Sequence, residues 1–228
     1  MVGTGGIFKA LHLPYYQSSG RAKVVAVADV NENAAREAAQ ACGAEYCFAG
    51  FKELLKLREV DAIDVCTPPA SHREIVVEAA RLGKHVLVEK PMCRTVKEAD
   101  EMIAAADRAK IVLQVAYMLR FHPTYMRLKR LLEDGSLGEV HLVYSCQVGW
   151  FQPTHPWLFK KEQSGGMLVE QAIHTLDEWL WLYGPVYTVY ARVSHVPLSG
   201  TYPPPLEAVE NNASVILHFA SGATGVLL

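Results

Sequence analysis

The octapeptide HVLVEKPM, His85–Met92, decides how this chain folds. Its first four residues read as a short interior strand, which then ends on two opposite charges and a proline. Glu89 and Lys90 therefore place the carboxyl end of the strand at a polar boundary, where open α/β sheets bind their ligands. Pro91 keeps Lys90 out of the helical region and permits a cis Lys90–Pro91 bond, and either would aim the lysine in a fixed direction. The plainer alternative is a solvated strand end with Glu89 paired to Lys90.

On both sides of this strand, short β-branched runs alternate with longer helical stretches, the pattern of a parallel sheet with crossover helices. Strands are expected at Val24–Ala28, Ala62–Cys66, His85–Val88 and Ile111–Val115, and helices at Lys9–Tyr16, Glu32–Cys42, Ser71–Leu82 and Val96–Ala109. Between Glu45 and Val60 a short strand precedes a helix over Lys52–Lys56. Beyond Arg120 the rhythm changes to a helix at Pro123–Leu132, a strand at Val140–Val148, a helix at Met167–Tyr183 and long strands at Val186–Val196 and Ala213–Phe219. The fold class is thus α/β: a doubly wound parallel sheet over residues 1–120, then an incomplete α+β domain with a mostly antiparallel open sheet over residues 121–228. Both ends read as cut. Only Met1 and Val2 precede the first glycine, where a central strand of about five or six residues is expected, and the chain stops at Gly225–Leu228 as a strand returns from Ser221 and Gly222.

With 228 residues, half of them hydrophobic, and a net charge of −2, the chain can build one full domain and part or all of a second. No window approaches the roughly 18 apolar residues of a membrane span, and the charge balance offers no footprint for nucleic acid or anionic lipid. Arg127, Lys129 and Arg130 read as a solvated helix face. Five cysteines without CxxC spacing indicate a reducing, cytoplasmic setting, and the sequon at Asn212–Ser214 is discounted.

Gly3, Thr4, Gly5, Gly6, Ile7 and Phe8 stand where a first strand turns into a helix. Such glycines permit a tight turn and close approach of a pyrophosphate, and the helix N-terminus supplies N–H groups and partial positive charge. Phe8 occupies the place of the third glycine of GxGxxG, so helix and strand must pack differently here. Asp29 follows at the spacing of a ribose-binding carboxylate, which favours NAD over NADP. The alternative for Asp29 is a helix N-cap, a role open to Asn31. Four strand ends, at Gly3–Gly6, Asp29, Thr67 with Pro68, and Glu89 with Lys90, thus converge on a dinucleotide.

In the second half, Glu170, His174 and Asp177 are spaced four and then three, on one face of the expected Met167–Tyr183 helix. A solvated polar face is the alternative. No second ligand pair of matching spacing points to a metal.

The order GTGGIF, VADV, DVCTPPASH, VEKP, RFHP and SGGMLVEQAIHTLD resembles the Gfo/Idh/MocA family of NAD(P)-dependent oxidoreductases, over essentially the whole chain. The resemblance implies an N-terminal Rossmann domain that holds NAD, with NADP less favoured, and a C-terminal domain whose open sheet joins subunits into a dimer or tetramer. It implies substrates among sugars, cyclic polyols and their derivatives. Lys90 matches the lysine near the nicotinamide and His174 the acid/base, with Glu170 where the family often has aspartate, Ala172 where it often has glycine, and Met118 where Asn or Gln is common. His72 and Arg120 join the cofactor-binding residues on the same ground, and Trp157 and Lys160 are candidates to meet the substrate, a packing role for the tryptophan being the alternative. The reaction expected is hydride transfer between NAD and a secondary alcohol or ketone. His174 serves as base oriented by Glu170, and Lys90 donates to the alkoxide oxygen, although the two can exchange roles. An NAD-dependent glycoside hydrolase and a non-catalytic NAD-binding regulator are the alternatives.

Overall fold

The computed structural model describes residues 1–147, 155–195 and 209–228, and these divide into two compact units, Met1–Ala116 and Tyr117–Leu228. In the first unit the strands β1 (Ala26–Ala28), β2 (Tyr46–Phe48), β3 (Ala62–Val65), β4 (His85–Val88) and β5 (Leu113–Val115) all pair in parallel. Val2 bridges Ala28 on one side and Val65 on the other, so the order across the sheet is β2, β1, Val2, β3, β4, β5. The reversal of strand order at Val2 is the crevice where doubly wound sheets bind ligands.

Successive residues of a strand point to opposite faces, and two apolar clusters result. Ala26 and Ala28 pack with Leu54, Ile75, Val76 and Met102, while Val27, between them, packs with Phe8, Ala35 and Ala38. The covering helices are α1 (Leu13–Ser19), α2 (Glu32–Cys42), α3 (Phe51–Leu55), α4 (Pro69–Arg81) and α5 (Val96–Ala109). Asn31 is the cap of α2, its side chain accepting from the Asn33 and Ala34 N–H groups, and Thr95 caps α5 by accepting from Glu98 N–H.

Three of the boundaries that differ from the sequence reading have a local cause. The strand expected from Val24 begins at Ala26, because the Glu45 and Tyr46 N–H groups both turn to the Val25 carbonyl and regular pairing starts only beyond it. Helix α4 starts two residues early, with Pro69 at its first turn, where a missing N–H costs nothing. The helix expected over Lys9–Tyr16 is a π-helix over Phe8–His12 followed by α1. Pro14 has no N–H for the Ala10 carbonyl, and a widened turn accommodates its ring.

The second unit carries α6 (Pro123–Glu133), β6 (Leu142–Ser145), α7 (Lys161–Ser164), α8 (Met167–Gln171), α9 (Ile173–Tyr183), β7 (Val186–Ser194), β8 (Asn212–Phe219) and β9 (Thr224–Leu227). Its sheet order is β6, β9, β8, β7, with β6 parallel to β9 and the other pairs antiparallel. Val148 and Val196, expected strand ends, lie outside the described residues, as do residues 150–154 of the loop that precedes Lys161. One face of this sheet packs its core: Val215, Leu217, Phe219 and Leu227 meet Ala172 and Trp179. At Gly225 a Cβ would stand 2.8 Å from the Trp179 ring, so glycine is what lets α9 lie this close to β9.

The single helix expected over Met167–Tyr183 is corrected to two, α8 and α9, which meet at Ala172. The deviation is confined to that residue, at ψ −11°. The bonds from Ala172 N–H to the Leu168 carbonyl and from Leu176 N–H to the Ala172 carbonyl keep α-helical spacing through the joint.

Candidate functional site

The glycine turn of the first unit is built by close approach. Gly3 has φ +86°, and a Cβ there would lie 2.8 Å from the Cys66 backbone and from Thr67 Cγ2. Only glycine satisfies both conditions. Gly5 is exposed with nothing within 4 Å of an added Cβ, so the turn is open on the side a ligand would approach. The first helical hydrogen bond runs from Lys9 N–H to the Gly5 carbonyl. Helix geometry leaves the preceding N–H groups of Gly6, Ile7 and Phe8 without intrahelical acceptors, the arrangement that receives a phosphate. The Phe8 side chain is fully buried, so Phe8 can serve a cofactor only through its backbone.

Asp29 lies at the end of β1, with one oxygen accepting from the Thr4 N–H at 2.7 Å and the Thr4 hydroxyl at 2.8 Å. Its other oxygen accepts from Asn31 N–H at 2.8 Å. These bonds fix the carboxylate beside the turn while Asn31 does the capping. Thr67 accepts from the Ser71 hydroxyl at 2.7 Å. His72 is wholly buried, with Nε2 at 2.7 Å from the Thr67 carbonyl and Nδ1 at 3.1 Å from the Pro91 carbonyl. Burial lowers its pKa against the pull of those carbonyls, so the ring ties the Thr67 corner to the Pro91 corner.

At the end of β4 the Lys90–Pro91 bond is cis. Glu89 accepts the Lys90 backbone N–H on Oε2 at 3.0 Å and meets His12 Nε2 with Oε1 at 2.9 Å. His12 Nδ1 stands 2.7 Å from Asp64 Oδ2, to which the Tyr16 hydroxyl also donates at 2.8 Å. Burial alone would lower the His12 pKa, but Asp64, Cys66 and Glu89 outweigh it and push it up to about 12. His12 and Asp64 were not among the residues singled out from sequence. A carboxylate in the middle of the interior strand β3 was the available signal, since a buried charge requires a partner.

In the second unit, Glu170 is buried on α8, and His174 and Asp177 follow on α9. Asp177 accepts from Nε and Nη2 of the Arg120 guanidinium, at 2.8 and 2.7 Å, a bidentate pair. Arg120 thus stands on a 3-10 turn, Met118–Phe121, inside the second unit. Glu178 lies beside this pair, and burial together with the Asp177 charge raises its pKa to about 7. Glu210, which sequence reasoning missed, accepts the Leu168 N–H at 3.1 Å and so anchors the start of α8. Gly166 stands there at φ +108°, a backbone conformation that residues other than glycine rarely adopt, beside the Glu210 carboxylate. Trp157 is half-buried on a second 3-10 turn, Pro156–Phe159.

A parallel sheet reversed at Val2, with a glycine turn and a fixed carboxylate at neighbouring strand ends, defines a Rossmann-type dinucleotide-binding protein. Residues 1–117 match the oxidoreductase family with NAD-binding Rossmann fold, and residues 125–228 match the GFO/IDH/MocA C-terminal domain. The chain belongs to the Gfo/Idh/MocA oxidoreductase family.

Among its relatives, the uncharacterized oxidoreductase YrbE of Bacillus subtilis is 30% identical over 84% of this chain and 55% of its own length. The myo-inositol 2-dehydrogenase of Thermotoga maritima is 29% identical over all of this chain and 66% of its own length. The crystal structure of the WlbA dehydrogenase from Bordetella pertussis, in complex with NADH and UDP-GlcNAcA, superposes with a TM-score of 0.88 at 31% identity, over 99% of this chain and 64% of that one. The chain therefore spans between about half and two thirds of the length of these relatives. The open turn at Gly5, the N–H groups behind it and the carboxylate at Asp29 fit an NAD molecule. No described helix is long and apolar enough to cross a membrane.

Proposed function

We propose that this chain carries the NAD-binding part and much of the substrate-binding part of a dehydrogenase or reductase acting on a secondary alcohol or ketone of a sugar, cyclic polyol or derivative. The observation that carries the reading is the position of Lys90, on the same sheet edge as the glycine turn and Asp29. Bound NAD supplies a hydride acceptor. Lys90 donates a hydrogen bond to the substrate oxygen and stabilises the negative charge that develops as its proton leaves. His174 takes that proton, and Glu170 orients the imidazole. Trp157 is assigned to the substrate, and the main chain of the Gly3–Phe8 turn, Asp29, Thr67, Pro68 and Glu89 to the cofactor, with His72 holding two of these corners. Arg120 is assigned to the cofactor on the family resemblance alone, its guanidinium being held by Asp177. Asp29 favours NAD over NADP, because a carboxylate repels a 2′-phosphate.

A relative named for myo-inositol and a dehydrogenase structure in complex with UDP-GlcNAcA support the substrate class. A cytoplasmic setting is supported by five free cysteines. A dimer or tetramer is supported by the outer face of the second sheet, where Leu142, Tyr144, Tyr187 and Tyr190 are between 59% and 75% exposed.

The test is NADH absorbance during incubation of the full-length protein with inositols, free sugars and sugar nucleotides. Net NADH formation is expected with at least one of them. Sugar release without it would replace this reading with the hydrolase. Lys90→Met is expected to leave NADH affinity within about threefold and to lower turnover about 10³-fold, in the range of a lost transition-state hydrogen bond. Unchanged turnover would remove Lys90 from the mechanism.

A further inference from the structure

His12 lies on the π turn directly behind the glycines, and its ring reaches across to two strands. Both nitrogens face carboxylate oxygens, Asp64 Oδ2 at 2.7 Å and Glu89 Oε1 at 2.9 Å. A neutral imidazole donates from one nitrogen only, so two ionised carboxylates are both satisfied here by the imidazolium. The side chains of His12 and Glu89 are each 12% exposed and that of Asp64 is 5% exposed, so the three charges are held largely away from water. The Tyr16 hydroxyl donates to Asp64 Oδ2, and the Cys66 thiol lies 3.7 Å from Oδ1, so each Asp64 oxygen has a donor from the protein. Glu89 is engaged at both oxygens, one by His12 and the other by the Lys90 backbone N–H.

We infer that His12 is a positioning residue: as a cation bridging Asp64 and Glu89, it fixes the Glu89–Lys90 corner against the glycine turn and offsets the carboxylate next to Lys90. The inference rests on the role proposed for Lys90 above. It joins the segment suited to the pyrophosphate to the segment that bears the lysine, through one ring. It also sharpens the sequence reading of Glu89 as a partner for Lys90, because the carboxylate has another cation. His12, Asp64 and Cys66 offer ligand atoms within 4.8 Å of one another, as a cation site would. Both imidazole nitrogens are, however, directed at carboxylates at hydrogen-bond distance, which leaves no ring lone pair for a metal.

The groups that face His12 are Asp64 from β3, Cys66 just beyond it and Glu89 beyond β4, with Tyr16 of α1 donating to Asp64 behind them. The raised pKa agrees with a ring that stays charged across the working range of pH. Nitrogen-15 NMR of the histidine rings is therefore expected to show His12 doubly protonated at pH 9, and Glu89→Gln is expected to make the ring titrate at lower pH. A ring that is neutral at pH 9 in the wild type overturns the inference, whatever the enzyme's activity.

In kinetics, His12→Gln is expected to leave NADH affinity, read by fluorescence, within about threefold. It should lower kcat by about 10- to 100-fold and move the basic limb of the kcat profile, where Lys90 loses its donor proton, up by about one pH unit, as an uncompensated carboxylate would. Adding Glu89→Gln should return the limb toward its original place. Unchanged kcat and pH profile in His12→Gln would overturn the positioning role, as would loss of NADH affinity with an unmoved limb. If the wild type turned over no polyol or sugar, the proposed function would fall, and the NMR result would still decide whether His12 holds Glu89.

Discussion

The sheets of the two units meet their surroundings differently. Strand β1 of the first unit is buried on both faces, whereas β8 of the second alternates, with Val215, Leu217 and Phe219 inside and Ile216 37% exposed outside. A parallel sheet must be covered by its crossover helices, and an antiparallel one can leave a face open. The consequences for side chains are opposite. A polar group placed in the first unit must be paired, as Asp64 is by His12 and Tyr16. In the second unit it is the apolar groups that lack cover, with Tyr187, Val189 and Tyr190 all more than 60% exposed on β7.

The largest effect is expected where the first unit is tightest. Gly3→Ala should cost about 3 kcal/mol, combining a positive φ with collision against the Cys66 backbone. Gly5→Ala should leave the melting temperature nearly unchanged and weaken NADH binding at least about tenfold, since its added methyl meets only the space a ligand would use. Thermal melts and NADH titrations of the two variants check this contrast, and equal melts would show that the close approach at Gly3 is not required.

A smaller effect is expected at Glu178, the polar group the second unit buries beside Asp177. Its folded pKa of about 7 is above the ordinary carboxyl value, so the folded state holds the proton more tightly and stability falls as pH rises from about 4.5 to 7. Glu178→Gln removes that loss. The variant should match the wild type near pH 4 and exceed it by about 1–2 kcal/mol at pH 8, after allowance for solvent screening. Denaturant curves at the two pH values measure it, and an equal gap at both would mean that Glu178 does not titrate on folding.

The smallest effect on folding is expected at the open face. Tyr190→Lys with Ile216→Lys should change the stability of a single subunit by no more than about 0.5 kcal/mol, because neither side chain packs in the core. The same change should lower the molar mass in sedimentation if this face joins subunits. Unchanged mass in an oligomeric wild type would place the interface elsewhere.

Strand and helix order was legible because hydrophobic periodicity and turn residues are local. The glycine turn, Asp29 and Lys90 could be named because each ends a strand, and chain direction alone puts the ends of parallel strands on one edge. The break at Ala172 was not legible, since one residue with a shallow ψ leaves the apolar pattern of the helix intact. Nor was Glu210, which lies 42 residues beyond the Leu168 N–H it accepts.

By itself, the sequence determined the doubly wound half, the dinucleotide edge and the family, all of which rest on local spacing and on the order of motifs. Tertiary structure alone decided what Glu89 is for. The pattern VEKP set it beside Lys90, and the fold brought His12 from 77 positions away to take its charge. A carboxylate's partner is chosen by distance in space and by burial, and neither is written in the residues next to it.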